Sequence, residues 1–386
     1  MKVAKRVPIG ASRYLTLKTE VFHSSAEDNH METRGVKYIG SKKKLIPYIL
    51  EYTNDIPVGK FIDVFAGTTR VGQAFRRKGW NVTSSDLAWA SECYAELFLK
   101  TTVEDIPQLE ERIQILNSLE GISDWITQSY CDIVTSTGGV VKVWKPKNGM
   151  RADAIRNQIA DWESSGEINH HIAMSLVAIL ILALDVVDST VGVQQAYLKN
   201  WAARSDNDLE LKLPTELAEG LVGSHSIGNC LEIEYEPATL AYVDPPYSSH
   251  SYATYYHIWD SIARWDKPEV TMKTHRRLDR THGTFDESMK SDWNKAATSY
   301  TAFEKLFDRL PVQYILLSYS NESLVSLSKL EELLKKYKSY TIHSVDYKRN
   351  IMSQIGNAEL IEDPSTTNVE YIILIEKEIH SRVAIP

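Results

Sequence analysis

The strongest candidate for chemistry in the sequence is the carboxylate of Tyr242-Val243-Asp244-Pro245-Pro246-Tyr247. The string closes the apolar run Thr239 to Val243, which predicts a strand, and open α/β sheets bind ligands at the carboxyl ends of their strands. Asp244, Pro245, Pro246 and Tyr247 would present an acceptor, a stiff backbone and an aromatic ring there. The same letters also make a good turn, since each proline fixes φ and drops a donor. Asp63-Val64-Phe65-Ala66-Gly67-Thr68 closes an earlier apolar run. A glycine where strand passes into helix lets a ligand approach the backbone, and the helix start favours an anionic group. Asp86 closes the next run, where a carboxylate can accept from both hydroxyls of a ribose. The structural alternatives are an ordinary turn for the first and a helix N-cap for the second. Upstream, Val36 to Leu45 superficially suggests a phosphate loop, but the GxxxxGK(S/T) spacing is absent and a P-loop NTPase is excluded.

These residues need a sheet to position them. The pattern predicts strands at Phe61 to Phe65 and Trp80 to Ser84, each followed by a helix, Val71 to Arg77 and Ala88 to Lys100, which is the opening of a doubly wound α/β sheet. Residues 101 to 228 change character, with helical patterns at 104–119, 151–163 and 170–187, and read as an inserted helical domain. The α/β rhythm resumes with strands at 239–243, 312–318, 340–345 and 369–375 and helices at 292–309 and 324–337. The expected division is an arm or linker over 1–35, a split catalytic domain over 36–100 and 229–386, and the insertion over 101–228.

At 386 residues the chain has room for two domains of about 150 residues or one enlarged one. Hydrophobic residues at 43% and charged residues at 24% exclude wholesale disorder. The three cysteines, Cys93, Cys131 and Cys230, are too scattered for a disulfide framework and lack zinc-site spacing, which fits a cytoplasmic protein. The longest apolar run, Ile172 to Leu184, falls short of the roughly 20 residues that span a bilayer, and the N-terminus has no apolar signal region. A net charge of −8 argues by itself against a nucleic-acid partner. Local balance differs: ten Lys+Arg face four Asp+Glu over residues 1–50, and four face one over 271–282.

Taken in order, the KYIGSKKKL segment from Lys37, DVFAGT from Asp63, Asp86, a long insertion and DPPY from Asp244 resemble the adenine-N6 DNA methyltransferases of the Dam-like α group, and within it the FokI-type enzymes of restriction-modification systems. Tyr255-Tyr256-His257-Ile258-Trp259, Leu317-Ser318-Tyr319-Ser320-Asn321 and Asp346-Tyr347-Lys348-Arg349 are similar to that subgroup. So are Asp188-Ser189-Thr190-Val191-Gly192 and Ala196-Tyr197-Leu198-Lys199 in the insertion. The resemblance covers about residues 35 to 376. It implies a Rossmann-like methyltransferase sheet, S-adenosylmethionine as methyl donor, no metal, and double-stranded DNA as partner. A cognate restriction endonuclease is a candidate partner, and a monomer or weak dimer is expected. Tyr38, Lys42, Asp63, Phe65, Gly67, Thr68, Asp86, Asn229, Cys230 and Asp244 are implied as cofactor contacts, with Asp86 the ribose acceptor. Asp244, Pro245, Pro246 and Tyr247 are implied as the catalytic loop. The chain departs from the family pattern at Thr69, where a second glycine is common, and at Asn229, where an acidic residue is common.

The amino nitrogen of adenine is a poor nucleophile because its lone pair is delocalised into the ring. Hydrogen bonds from that amino group to Asp244 and to the carbonyl of Pro245 would draw it toward tetrahedral geometry for a direct in-line methyl transfer, with Asp244 opposing the growing positive charge. The base must first be extruded from the duplex, and Tyr247 is the expected stacking face. Lys273, Arg276, Arg277 and Arg280 are expected to contact DNA phosphates, and the insertion to read bases. His250, His257, His275 and His282 lack ligand spacing and are expected as polar or DNA-proximal groups. The rival readings are the same fold acting on cytosine-N4 or on RNA adenine, and a non-catalytic DNA-binding subunit.

Overall fold

The computed structural model describes residues 32–194, 198, 200–217, 219–247, 249, 251–280, 291–345 and 369–378 with side chains, and the backbone alone of 17–20, 346, 347 and 368. Most of the expected N-terminal arm, Ala196, Tyr197, Lys199, His250, His282 and Lys348-Arg349 lie outside these residues. The strands are β1 (Leu17–Glu20), β2 (Lys60–Asp63), β3 (Asn81–Asp86), β4 (Cys131–Val134), β5 (Val140–Lys142), β6 (Ser224–Ile227), β7 (Ala238–Val243), β8 (Val312–Ser320), β9 (Ser339–Tyr347) and β10 (Asn368–Glu376). The helices are α1 (Ile46–Glu51), α2 (Arg70–Arg77), α3 (Trp89–Ala95), α4 (Ile106–Ser118), α5 (Trp125–Tyr130), α6 (Pro146–Ser164), α7 (His170–Val186), α8 (Tyr252–Tyr255), α9 (His257–Arg264), α10 (Ala296–Arg309) and α11 (Leu327–Leu334).

One sheet of eight strands runs in the order β1-β9-β10-β8-β7-β2-β3-β6. Its ladders are parallel except the two that β10 makes with β8 and β9. Alternation along the strands feeds two apolar layers. Phe61, Leu240, Tyr242 and Leu316 join Ile49, Val71 and Phe75 on the face of α1 and α2. Ile62, Ala241, Val243 and Leu317 join Phe303, Phe307 and Leu330 on the face of α10 and α11. Phe61 is wholly buried and stacks on Phe75 at 3.9 Å, and burial of such a side chain is worth about 1.5–3 kcal/mol. From β2 the chain winds outward through β3 and β6, then returns to β7 on the opposite flank of β2. The carboxyl ends of β2 and β7 therefore border a topological switch point, where doubly wound sheets leave a crevice.

The mixed α/β architecture agrees with the expectation, and the helices expected at 104–119, 151–163 and 170–187 are α4, α6 and α7. Asn169 starts α7 by accepting from the Ile172 amide at 2.9 Å. The inserted helices do not form a core apart. Leu109, Ile155 and Leu176 share one apolar cluster with Cys93 and Leu97, in and just after α3, and with Ile258 and Ile262 of α9. Two features differ from the reading of 101–228. Residues 131–142 form the antiparallel hairpin β4–β5. Residues 224–227 form β6, a parallel edge strand on β3, so the return to the main sheet comes before 229. The sequence Ser224-His225-Ser226-Ile227 carries no apolar run because an edge strand buries little, and its pairing is supplied by the backbone.

Candidate active site

The strand ends around the switch point are held level by backbone bonds. Val64 donates to the Tyr242 carbonyl at 3.0 Å and Ala66 to that of Ser85 at 3.0 Å. Gly67 then turns with φ +49°, in the left-handed region that favours glycine, and a Cβ there would lie 3.6 Å from the ring of Tyr38. Thr69, in the place of the second glycine, takes φ +58° as the N-cap of α2. Its hydroxyl accepts from Gln73 Nε2 at 3.1 Å, which offsets part of the strain of a β-branched residue in that region.

The crevice holds about 1260 Å³ of empty space, part of it open to solvent. Tyr38, Lys42, Phe65, Gly67, Thr68, Asp86, Asn229, Cys230, Asp244, Pro245, Pro246 and Tyr247 all line it. Asp86 ends β3 and accepts from the Gly67 amide and the Ala88 amide, both at 2.8 Å. Burial raises its pKa, opposed by the hydrogen bonds from Ala88, Gly67 and Leu87. Asn229 Oδ1 accepts from the Leu231 amide at 3.1 Å, folding this turn on itself.

Asp63 differs from the expectation. It is 1% exposed and does not line the crevice, because its Oδ2 accepts from the Gly72 amide at 3.0 Å in the first turn of α2. The helix start expected to favour an anionic ligand thus receives an internal carboxylate. Burial pushes the Asp63 carboxyl up to about 7, the Gly72 amide opposes the rise, and Asp244 and Asp86 add to it.

Asp244 sits in a built network. Its Oδ1 accepts from the Tyr247 hydroxyl at 2.6 Å and pairs with Lys42 Nζ at 3.1 Å, while Lys42 Nζ also donates to the Tyr247 oxygen at 2.8 Å. Its Oδ2 has no hydrogen-bond partner among the described residues. Burial raises the Asp244 pKa, and Lys42 and Tyr247 hold it down. The loop is fixed from behind, since Leu324 donates to the Tyr247 carbonyl at 3.2 Å. The Tyr247 ring has the Lys42 ammonium 4.6 Å from its centroid and meets Tyr319 edge to face at 5.7 Å. Lys42 also reaches Glu370 Oε2 at 3.9 Å, a residue the motif reading missed. Glu370 is the third residue of β10, the reversed strand, whose amino-terminal end lies at the carboxyl ends of the parallel strands.

Three other lining residues had been given no site role from the sequence. Trp293 meets Phe65 edge to face at 5.2 Å. Tyr256 stacks on Tyr38 at 4.2 Å and accepts from the Ile39 amide at 2.7 Å. Asp260 of α9 accepts from the Ala90 amide at 3.1 Å and is pushed up to about 6 by burial. The inserted Asp188 holds the Tyr38 segment in place, pairing with Lys37 Nζ at 2.7 Å and with Arg204 at 2.8 Å.

The expected DNA-contacting strip is corrected. Lys273 is exposed and Arg276 half-buried, but Arg277 is 2% and Arg280 1% exposed. Arg277 makes a fork to Asp266 at 2.9 and 2.8 Å and a second to Asp279 at 3.0 Å on each arm, and Arg280 pairs with Asp279 at 3.4 Å. Both guanidiniums are buried against these internal carboxylates rather than presented at the surface. His257 is fully buried against Tyr130, and burial holds its imidazole down to about 3. His275 is 5% exposed, so neither histidine faces a partner.

A family model for D12 class N6 adenine-specific DNA methyltransferases matches residues 38–351. The chain is 28% identical over 351 residues to the type II methyltransferase M.NlaIII of Neisseria lactamica, covering 89% of this chain and 99% of that one. It is 30% identical over 317 residues to the modification methylase StsI of Streptococcus sanguinis, covering 78% of this chain and 46% of the relative. To the type II methyltransferase M.FokI of Planomicrobium okeanokoites it is 27% identical over 366 residues, 89% of this chain and 53% of the relative. The chain thus spans about half the length of two of these relatives and nearly all of the third. With the family match running from the Tyr38 loop through the strand ends that border the crevice to beyond β9, the chain belongs to the D12 class N6 adenine-specific DNA methyltransferases.

Proposed function

We propose that the protein is a site-specific DNA methyltransferase that moves a methyl group from S-adenosylmethionine to N6 of an adenine flipped out of duplex DNA, as the modification part of a restriction-modification system. The observation that carries this reading is Asp244 at the switch point, with Oδ1 anchored by Lys42 and Tyr247 and Oδ2 left for a ligand. The residues suit the donor: Asp86, Asp244 and Asp260 line the crevice and favour a cation, and Phe65 and Trp293 offer apolar surface beside Asn229 and Cys230. When bound, the donor would supply an electrophilic methyl on a sulfonium, whose sulfur would keep the S–CH3 bonding pair and leave as a neutral thioether.

The chain's own groups do the rest. Asp86 accepts from ribose hydroxyls through lone pairs that Gly67 and Ala88 leave free. Asp244 Oδ2 and the Pro245 carbonyl accept from the adenine amino group and turn its lone pair toward the methyl. As the new N–C bond forms, Asp244 opposes the positive charge on nitrogen, an effect of a few kcal/mol for a preorganised group, and accepts the proton that nitrogen then loses. The Tyr247 ring borders the base, with its hydroxyl fixing Asp244. Lys273 and Arg276 contact the DNA backbone, and the helical segment 101–223 carries target recognition. Among the described residues no helix is long and apolar enough to cross a membrane. A cytoplasmic monomer or weak dimer acting beside a cognate endonuclease fits this role.

Modification-sensitive sequencing of DNA from cells expressing the protein tests the reading. N6-methyladenine at one recurrent sequence is expected. Modified cytosine, or methylation confined to RNA, would overturn the substrate.

A further inference from the structure

Glu370 has no part in the motifs, yet it stands at the reacting end of the sheet. Its side chain is 15% exposed, and its Oε2 lies 3.9 Å from the Lys42 ammonium without a hydrogen bond among the described residues. Lys42 is 6% exposed and bridges Glu370 to Asp244, which it reaches at 3.1 Å. The titratable groups facing Glu370 are Lys42, Asp244 and Tyr247, with Tyr242 of β7 and Tyr252 of α8 behind them. Asp244 and Lys42 alone form a neutral pair, and an ammonium beside the reacting centre repels a cationic donor. A second carboxylate on the same ammonium restores one net negative charge.

We propose that Glu370 is a positioning residue that offsets the Lys42 ammonium, so that the Asp244–Lys42–Glu370 cluster presents a net negative charge to the cationic methyl donor and to the cation that develops on the acceptor nitrogen. This rests on the methyl-transfer reading above. The reversed direction of β10 makes it possible, because a parallel strand in that place would bring its carboxyl end to the crevice and Glu370 would lie at the far edge. One consequence is selectivity by charge. S-adenosylmethionine and S-adenosylhomocysteine share ribose, base, ammonium and carboxylate and differ by the methyl and its positive charge, so the Glu370 carboxylate discriminates between them.

The test is calorimetric titration of wild type, Glu370→Gln and Glu370→Asp with each of the two compounds separately. Glu370→Gln is expected to weaken S-adenosylmethionine binding about tenfold, the order expected for one charge several ångströms away at intermediate dielectric, and to change S-adenosylhomocysteine binding less than about twofold. Glu370→Asp restores most of the preference. Equal loss for both compounds in Glu370→Gln, or no change for either, overturns the inference while leaving the methyltransferase reading intact. If Glu370→Gln fails to fold, Glu370→Asp decides alone, and it overturns the inference if its preference for the cationic compound disappears. Wild type that binds neither compound overturns the methyltransferase reading, and this inference with it.

Discussion

Arg277→Met separates two roles that the residue's charge alone does not distinguish. As a phosphate contact, Arg277 would contribute to DNA affinity and to its salt dependence, and its loss would lower the salt slope by about one counterion. Its surroundings predict otherwise. The guanidinium is 2% exposed and makes four contacts of 2.8–3.0 Å to Asp266 and Asp279, with a fifth to Ser261 Oγ at 3.1 Å. Removing one member of a buried ion network costs about 3–5 kcal/mol. Here the two aspartates are 27% and 36% exposed and regain some hydration, so a loss of about 2–3 kcal/mol is the better figure. Methionine fills the vacated volume but offers no donors. Urea denaturation of wild type and variant should show the midpoint falling at constant slope. DNA affinity of the folded variant should keep its wild-type salt dependence. Unchanged stability with a lower salt slope would refute the internal assignment and return Arg277 to the DNA surface.

Two further outcomes follow from the carboxylates. Lys42 holds the Asp244 pKa down, so Lys42→Met raises it and ionisation requires a higher pH; the acid limb of the kcat profile is expected to move to higher pH, and an unmoved limb counts against the ion pair. Asp63, pushed up to about 7, binds a proton in the folded state that the unfolded chain has released above about 4. The native state therefore holds more protons between those values, and stability falls as pH rises through that window. Asp63→Asn keeps the acceptor for the Gly72 amide without the charge; it should be about 1–3 kcal/mol more stable than wild type at pH 8, with the difference vanishing near pH 4, and equal denaturation midpoints at both pH values would contradict the burial argument.

Local strings made part of this site legible. Asp86, Phe65-Ala66-Gly67 and Asp244 to Tyr247 each close a strand, and a strand end is both readable from a few residues and fixed in space by the sheet. What escaped depends on distant pairing. Glu370 enters because β10 runs backward, and Trp293 and Asp260 enter because a short turn and α9 pack over the crevice. The run around Arg277 and Arg280 displayed its positive charge, while the partner Asp266 lies 11 residues earlier and closes on it only in the folded chain. Asp63 belongs to the motif but turns beneath it, since its side chain points to α2 on the opposite side of the strand end from Val64. The net charge of −8 was misleading for a related reason: whole-chain balance says little about the charges that one crevice presents to its ligand.

The central claim is that the free oxygen of Asp244 activates the acceptor nitrogen, and the most direct measurement is transfer of labelled methyl from S-adenosylmethionine to duplex DNA by wild type and Asp244→Asn, each with its binding of the donor measured in parallel. Asparagine preserves the shape and one acceptor but removes the charge. The account predicts a fall in single-turnover rate of at least about 100-fold, with the thermal midpoint largely preserved, the order found when a preorganised charge-stabilising group is removed. Methyl transfer at near the wild-type rate by a folded Asp244→Asn protein would contradict it.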